Sequence, residues 1–185
     1  MAEPFTAHTN AAPAVAVAID RGGTGSRFVA LDERRSIIAT TTLPTPTGIS
    51  AADAVSFVEE HVNDVTGGAP LRSIGIGASG PVDAEGVIRN HDTLPAFTGF
   101  DLVAGQTKAY SVPVSIDNDV VTAAICEASI GVARDYPSLL MITLGTGVGV
   151  SALVQGEPVR GADVVHPGVA SENGINRTLT VAGGA

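Results

Sequence analysis

Two glycine-rich turns and one acidic strand end carry the residues that could do chemistry in this chain. The first turn is Asp20-Arg21-Gly22-Gly23-Thr24-Gly25 and the second is Leu144-Gly145-Thr146-Gly147-Val148-Gly149. Glycine lets a backbone approach an anion closely and aim N–H groups at it, and a threonine hydroxyl adds a further donor. Two strand-Gly-Thr-Gly units are what a split phosphate site needs, although a plain glycine-rich hairpin accounts for either one taken alone. Asp20, at the head of the first turn, suits Mg²⁺ coordination directly or through water; an acidic turn residue satisfying its own loop amides is the rival reading. Asp119, beside Asn118, stands where a buried strand meets a helix. The positive end of that helix would hold the carboxylate ionised and oriented, ready to accept a proton from a hydroxyl nucleophile. Simple N-capping by Asn118 or Asp119 is the alternative there. Phosphate cradles, a metal-binding carboxylate and a base are together the protein parts of phosphoryl transfer.

The elements that must position these residues follow from the hydrophobic period. Ala14 to Ile19 reads as a buried strand leading into the first glycine turn, and Arg27–Asp32 and Ser36–Thr41 as two more strands joined by Asp32-Glu33-Arg34-Arg35, a β-meander. Pro44-Thr45-Pro46-Thr47-Gly48 breaks the pattern. Ser50 then caps a helix from Ala51 to about Thr66, with Ala54, Val55, Val58, Val62 and Val65 at helical spacing, and Gly67-Gly68 stops it. Arg72–Ala78 resumes a buried strand, followed by Ser79-Gly80-Pro81-Val82-Asp83 and a turn at Ala84-Glu85-Gly86. Asn90 to Phe100 has no period and is read as a loop, before a short helix from about Asp101 to Ala109. Val112–Asp117 is the next strand and runs straight into a helix reaching Ala128. A domain boundary falls near Pro137. Beyond it Leu139–Thr143, Ser151–Gln155 and Glu157–Arg160 restart the meander, which predicts a structural repeat. Strands, a helix and a further parallel strand make an α/β unit, and loops at the ends of parallel strands are where sites form.

Composition bounds the partners. Hydrophobic residues make up 44% of the 185 and aromatics only 4%, as expected of strands covered on both faces by helices. A formal net charge of -9, with scattered Lys and Arg, argues against nucleic acid or an anionic membrane as a partner. The single cysteine, Cys126, excludes an internal disulfide and any cysteine-rich zinc cluster in this chain. Residues 1–13 lack the charged and apolar regions of a signal peptide and are read as a flexible leader, and no apolar run approaches the length of a membrane span. The expected location is the cytoplasm.

In order along the chain, these segments resemble the ROK (repressor, open reading frame, kinase) family of sugar kinases, within the actin, sugar kinase and Hsp70 superfamily. Ala18-Ile19-Asp20-Arg21-Gly22-Gly23-Thr24 resembles its D-x-G-G-T phosphate loop, and Gly75 to Asp83 its G-x-x-x-x-G-P-V-D segment. Asp117-Asn118-Asp119-Val120-Val121-Thr122-Ala123-Ala124 with Glu127 resembles the E/D-N-D-x-x-x-A-A-x-x-E stretch. Thr143 to Gly149 resembles the second phosphate loop, and Arg160-Gly161-Ala162-Asp163 the glycine turn after it. The resemblance implies a ribonuclease H-like (actin-like ATPase) α/β domain with a mixed sheet and flanking helices at 14–137. The start of a second, similar nucleotide domain would occupy 138–185. It implies Asp119 as the base that deprotonates a hexose hydroxyl, Asn118 as a sugar ligand, and Ser79, Gly80 and Asn90 as shapers of the sugar pocket. Gly22, Gly23, Thr24, Gly145, Thr146 and Gly147 would grip the phosphates of ATP with Mg²⁺, and Asp20 would hold the metal.

The resemblance ends after His166-Pro167. The family has E-x-G-H there, both charged residues binding sugar hydroxyls, whereas this chain has Gly168-Val169-Ala170-Ser171, and the family's zinc-binding cysteine cluster has no counterpart. The expectation is a second domain that barely begins, whose apolar face would favour a homodimer. Two functions follow: a glucokinase-like hexose kinase, or a non-catalytic sugar-binding or regulatory remnant of that family. A family repressor would need a helix-turn-helix ahead of the first strand, and thirteen residues do not form one.

Overall fold

The protein is described here by a computed structural model covering residues 13–144 and 148–160. Most of the leader, the Gly145-Thr146-Gly147 turn and residues 161–185, with Gly168–Ser171 among them, lie outside the described residues.

Strands β1 (Val15–Arg21), β2 (Gly25–Leu31) and β3 (Ile37–Pro44) form the expected antiparallel meander. Alternation along β1 puts Val15, Val17 and Ile19 on one buried face, in register with Ala30 and Phe28 of β2. That face needs a cover, and α1 (Ala51–Thr66) provides it: Ala54, Val58, Val62 and Val65 recur at helical spacing and are buried against the meander. The helix opens at Ser50, whose hydroxyl accepts from the Asp53 N–H while the Asp53 carboxylate accepts from the Ser50 N–H, and it stops at Gly67 in the left-handed conformation. The chain returns through β4 (Leu71–Ala78), parallel to β1, and β5 (Val114–Asn118), parallel to β4, giving the order β3-β2-β1-β4-β5. Between them α2 (Leu102–Tyr110) packs beside α1.

Helix α3 (Asp119–Ser129) begins directly from β5 and lies on the opposite face. Gly77 of β4 makes this approach possible, because a Cβ there would sit 2.7 Å from Thr122 Oγ1. The other side of α3 packs on a second antiparallel meander, β6 (Ser138–Leu144), β7 (Val148–Val154) and β8 (Glu157–Pro158), ordered β6-β7-β8. Among the described residues, no helix is long and apolar enough to cross a membrane.

Several strand bounds differ from the sequence reading, β7 beginning at Val148, β8 ending at Pro158 and β3 running to Pro44, and two differences have a clear physical reason. Strand β5 begins at Val114 rather than Val112, because Pro113 has no N–H to give to a ladder and contributes only its carbonyl, to Ile74 N. The Asn90–Phe100 stretch is not simply a surface loop: Pro95–Phe97 forms a 3₁₀ turn that buries Leu94, Ala96 and Phe97 in the core. Side-chain bonds from Asn90 and Thr98 hold this backbone, so it shows no helical or strand period. Phe97→Ala is therefore expected to cost about 3–5 kcal/mol in urea unfolding, as for a deeply buried core aromatic. A loss below about 1 kcal/mol would show that the loop stands outside the cooperative core.

Candidate active site

The site forms where the C-terminal ends of β1, β4 and β5 meet the start of α3. Asn118 closes β5 and caps α3, its Oδ1 accepting from Val120 N at 2.9 Å and Val121 N at 3.3 Å. Its Nδ2 donates to the Gly80 carbonyl at 2.9 Å, and the residue is only 5% exposed. Its amide thus ties the strand-to-helix corner to the Ser79-Gly80 loop. Asp119, the first residue of α3, is half-buried and accepts from Val120 N at 2.9 Å. Its pKa lies above the ordinary carboxylate value: burial disfavours the charge, the Val120 N–H opposes that shift, and the negative charge of Asp20 adds to it. The sequence reading has the helix end hold this carboxylate ionised. Burial outweighs the hydrogen bonds that favour the charge, which gives a stronger base than an exposed aspartate.

Asp20 is exposed at the end of β1, on the face opposite Arg21. Among the described residues its carboxylate accepts no hydrogen bond from the loop amides, so the self-capping reading fails and its oxygens stay open. Asp20 and Asp119 share the wall of an open cavity of about 660 Å³, whose lining also includes Gly77, Asp117, Thr122 and Cys126. No group of three or more His, Cys, Asp or Glu side chains converges as a metal cage among the described residues.

The first glycine turn follows directly from the same end of β1. Gly22 N donates to Gly25 O at 2.9 Å and closes it. Thr45 holds both of its outer carbonyls, its hydroxyl donating to Gly22 O at 2.6 Å and its N–H to Thr24 O at 3.1 Å. The Gly23 and Thr24 N–H groups donate to no acceptor among the described residues, which suits them to an anion. Gly23 also sits against the Asn90 loop, where a Cβ would lie 3.1 Å from Thr93 Cβ.

Ser79, Gly80 and Asn90 form one cluster. Ser79 N donates to Arg21 O at 2.9 Å, and Asn90 Nδ2 donates to Ser79 O at 2.8 Å and to Thr93 Oγ1. Gly80 is required here twice over: its φ is +85°, and a Cβ would fall 2.3 Å from Asn90 Nδ2. Asn90 thus braces the loop. Gly145, Thr146 and Gly147 lie outside the described residues. Strand β7, which follows them, packs on the first turn of α3, since a Cβ on Gly149 would meet Val120 Cγ2 at 2.4 Å.

Sequence reasoning missed Thr45, seen there only as part of a Pro-Thr-Pro breaker, and the pairing of Asp117 with Arg160. Arg160 Nη1 donates to Asp117 Oδ1 at 3.2 Å, and Nη2 pairs with Oδ2, linking the second meander to the end of β5. Partners 43 residues apart leave no local signal.

A meander, a crossover helix and parallel strands, with acidic residues and glycine turns at the strand ends, define a ribonuclease H-like domain of the actin-like ATPase class. The chain belongs to the ROK family, whose sequence profile matches residues 16–177. It is 30% identical over 168 residues to a glucokinase of Streptomyces coelicolor, covering 88% of this chain and 50% of that protein. A fructokinase of Zymomonas mobilis is 29% identical over 156 residues, covering 80% of this chain and 50% of that protein. Among solved structures, a ROK family glucokinase from Streptomyces griseus in complex with glucose and AMPPNP superposes with a TM-score of 0.71 at 27% identity, covering 89% of this chain and 51% of that one. The chain spans about half the length of the curated relatives it matches.

The raised Asp119 pKa fixes the sign of a stability effect. A carboxylate whose folded pKa exceeds its unfolded value destabilises the fold as pH rises through that interval and has no effect below both values. Asp119→Asn, which keeps an acceptor for Val120 N, is expected to raise the Tm at pH 7 and leave it unchanged below about pH 3. Thermal unfolding at the two pH values checks this, and a lower Tm at pH 7 would contradict it.

Proposed function

We propose that this chain acts in ATP-dependent phosphorylation of a hexose hydroxyl, as a glucokinase-like member of the ROK family. In this reading residues 14–137 form the first domain and 138–185 begin the nucleotide domain. The observation that carries the proposal is that Asp119 and Asp20 share one cavity wall, with Asp20 on the strand that leads into the Gly22–Thr24 turn, so that a base and a carboxylate suited to a metal stand at the strand end that precedes a phosphate cradle.

Asp119 takes the proton of the sugar hydroxyl, and the oxygen attacks the γ-phosphorus as ADP leaves. The raised pKa of Asp119 brings its basicity closer to that of the working solution. The free N–H groups of Gly23 and Thr24, in the turn that Gly22 opens, and the turn Gly145-Thr146-Gly147 receive phosphate oxygens. Asp20, whose oxygens accept no hydrogen bond among the described residues, would hold Mg²⁺ through one carboxylate and water, and the ion would neutralise charge on the phosphates. Ser79, Gly80, Asn90 and Asn118 shape the sugar side, the two asparagines by bracing its backbone.

The location proposed is the cytoplasm. A homodimer would cover the exposed aliphatic face of β6 and β7, where Leu140, Ile142 and Leu144 stand out. Sugar binding without turnover is the second reading, favoured by Gly168-Val169-Ala170-Ser171 in place of E-x-G-H.

A coupled assay with ATP, Mg²⁺ and glucose, fructose and mannose tests the proposal on the purified chain. Phosphorylation of a hexose that falls at least about 10²-fold in Asp119→Asn is the expected result. Absence of turnover with retained sugar binding in calorimetry would favour the second reading, and neither activity would overturn both.

A further inference from the structure

Arg21 is a cation with 0% exposure, placed in line with Val15, Val17 and Ile19 on the core face of β1 and adjacent to Gly22. Three aromatic rings enclose it: its Cζ lies 5.5 Å from the Phe28 centroid, 5.1 Å from Phe57 and 4.2 Å from Phe97. Burial lowers its pKa to about 10, against the opposing pull of Asp20, so it stays charged at neutral pH. A charge this deep is costly and rare, and hydrophobic packing alone would be served better by methionine.

Among the described residues the guanidinium makes one hydrogen bond, from Nη1 to Ser26 Oγ at 2.7 Å, and Nε and Nη2 have no partner. Ser26 Oγ lies 2.8 Å from Thr45 Oγ1, and Thr45 Oγ1 donates to Gly22 O at 2.6 Å. The direction of this series is fixed from both ends. Arginine can only donate and a carbonyl can only accept, and each hydroxyl has one hydrogen. Thr45 gives its hydrogen to Gly22 O, so Ser26 must give its own to Thr45, and Arg21 feeds Ser26. Bonds in series from a charged donor polarise one another.

What this relay holds is a peptide plane. Glycine peptides turn over easily, and an outward Gly22 carbonyl would carry the Gly23 N–H of the same peptide plane inward, away from an anion. We propose that Arg21, Ser26 and Thr45 are positioning residues for the first glycine turn, a cation-fed relay that keeps the Gly22 carbonyl inward and so presets the turn's free N–H groups for an anion. The inference rests on the phosphate reading of that turn.

The test uses the full chain with Arg21→Met, Arg21→Lys, Ser26→Ala and Thr45→Val, read by NMR hydrogen exchange and by Mg²⁺-ATP titration. The reporting amides are Gly22 N–H and Thr45 N–H, whose bonds to Gly25 O and Thr24 O close the turn. The relay predicts that R21M, S26A and T45V speed exchange at both amides about tenfold or more, with the amides of Ile19 and Ile74 unchanged, and that R21K restores part of the protection. It also predicts about tenfold weaker Mg²⁺-ATP binding in the same three variants, with no fall in Tm for R21M. Should R21M fail to fold, S26A decides the matter, since it breaks only the link to the cation and lies outside the turn itself. Wild-type exchange in S26A and T45V would overturn the relay. A wild-type chain that binds no Mg²⁺-ATP would remove the phosphate reading, while the exchange rates still decide whether Arg21 holds the turn.

Discussion

Asn118 uses both ends of its amide at one corner of the fold, and the site depends on that corner. The oxygen satisfies two open N–H groups of α3, and the nitrogen reaches the Gly80 carbonyl. A strand end, a helix start and a loop from the neighbouring strand are thereby fixed relative to one another through a single planar group. Asp119 inherits its position from this arrangement. Its carboxylate lines the cavity, partly withdrawn from water and within the field of Asp20, and accepts a hydrogen bond from Val120 N. The raised pKa of Asp119 follows first from its burial.

The rest of the site is assembled by close approach of backbone to backbone. Gly77 admits α3 onto the sheet, Gly23 admits the Asn90 loop onto the first glycine turn, and Gly149 admits β7 onto the first turn of α3. A side chain at any of these would push two elements apart. The polar side chains nearby act mainly as braces, with Asn90 holding Ser79 and Thr93, and Thr45 holding Gly22 and Thr24. Among the described residues this leaves Asp20 and the turn amides open, which suits a site for a charged ligand.

Much of this was legible in the chain itself, for identifiable reasons. The helix at Ala51–Thr66 declared itself through the spacing of Ala54, Val58, Val62 and Val65 and through the Ser50 and Gly67 ends. The meanders showed as alternation, and the glycine turns as breaks after β-branched runs. The family motifs placed Asp20, Asn118 and Asp119 in order. The Asn90–Phe100 core segment was not legible, because side-chain bonds and a 3₁₀ turn leave no period.

The sequence by itself determined the local elements and the chemical types at their ends, because periodicity, caps and glycine conformations are properties of neighbouring residues. Tertiary structure alone decided which charges meet and which are desolvated. Asp119 feels Asp20 across 99 residues of chain, Arg21 reaches Gly22 by way of Thr45, and Asp117 pairs with Arg160. Electrostatic strength depends on distance and burial in three dimensions, and neither quantity is written in the order of the residues.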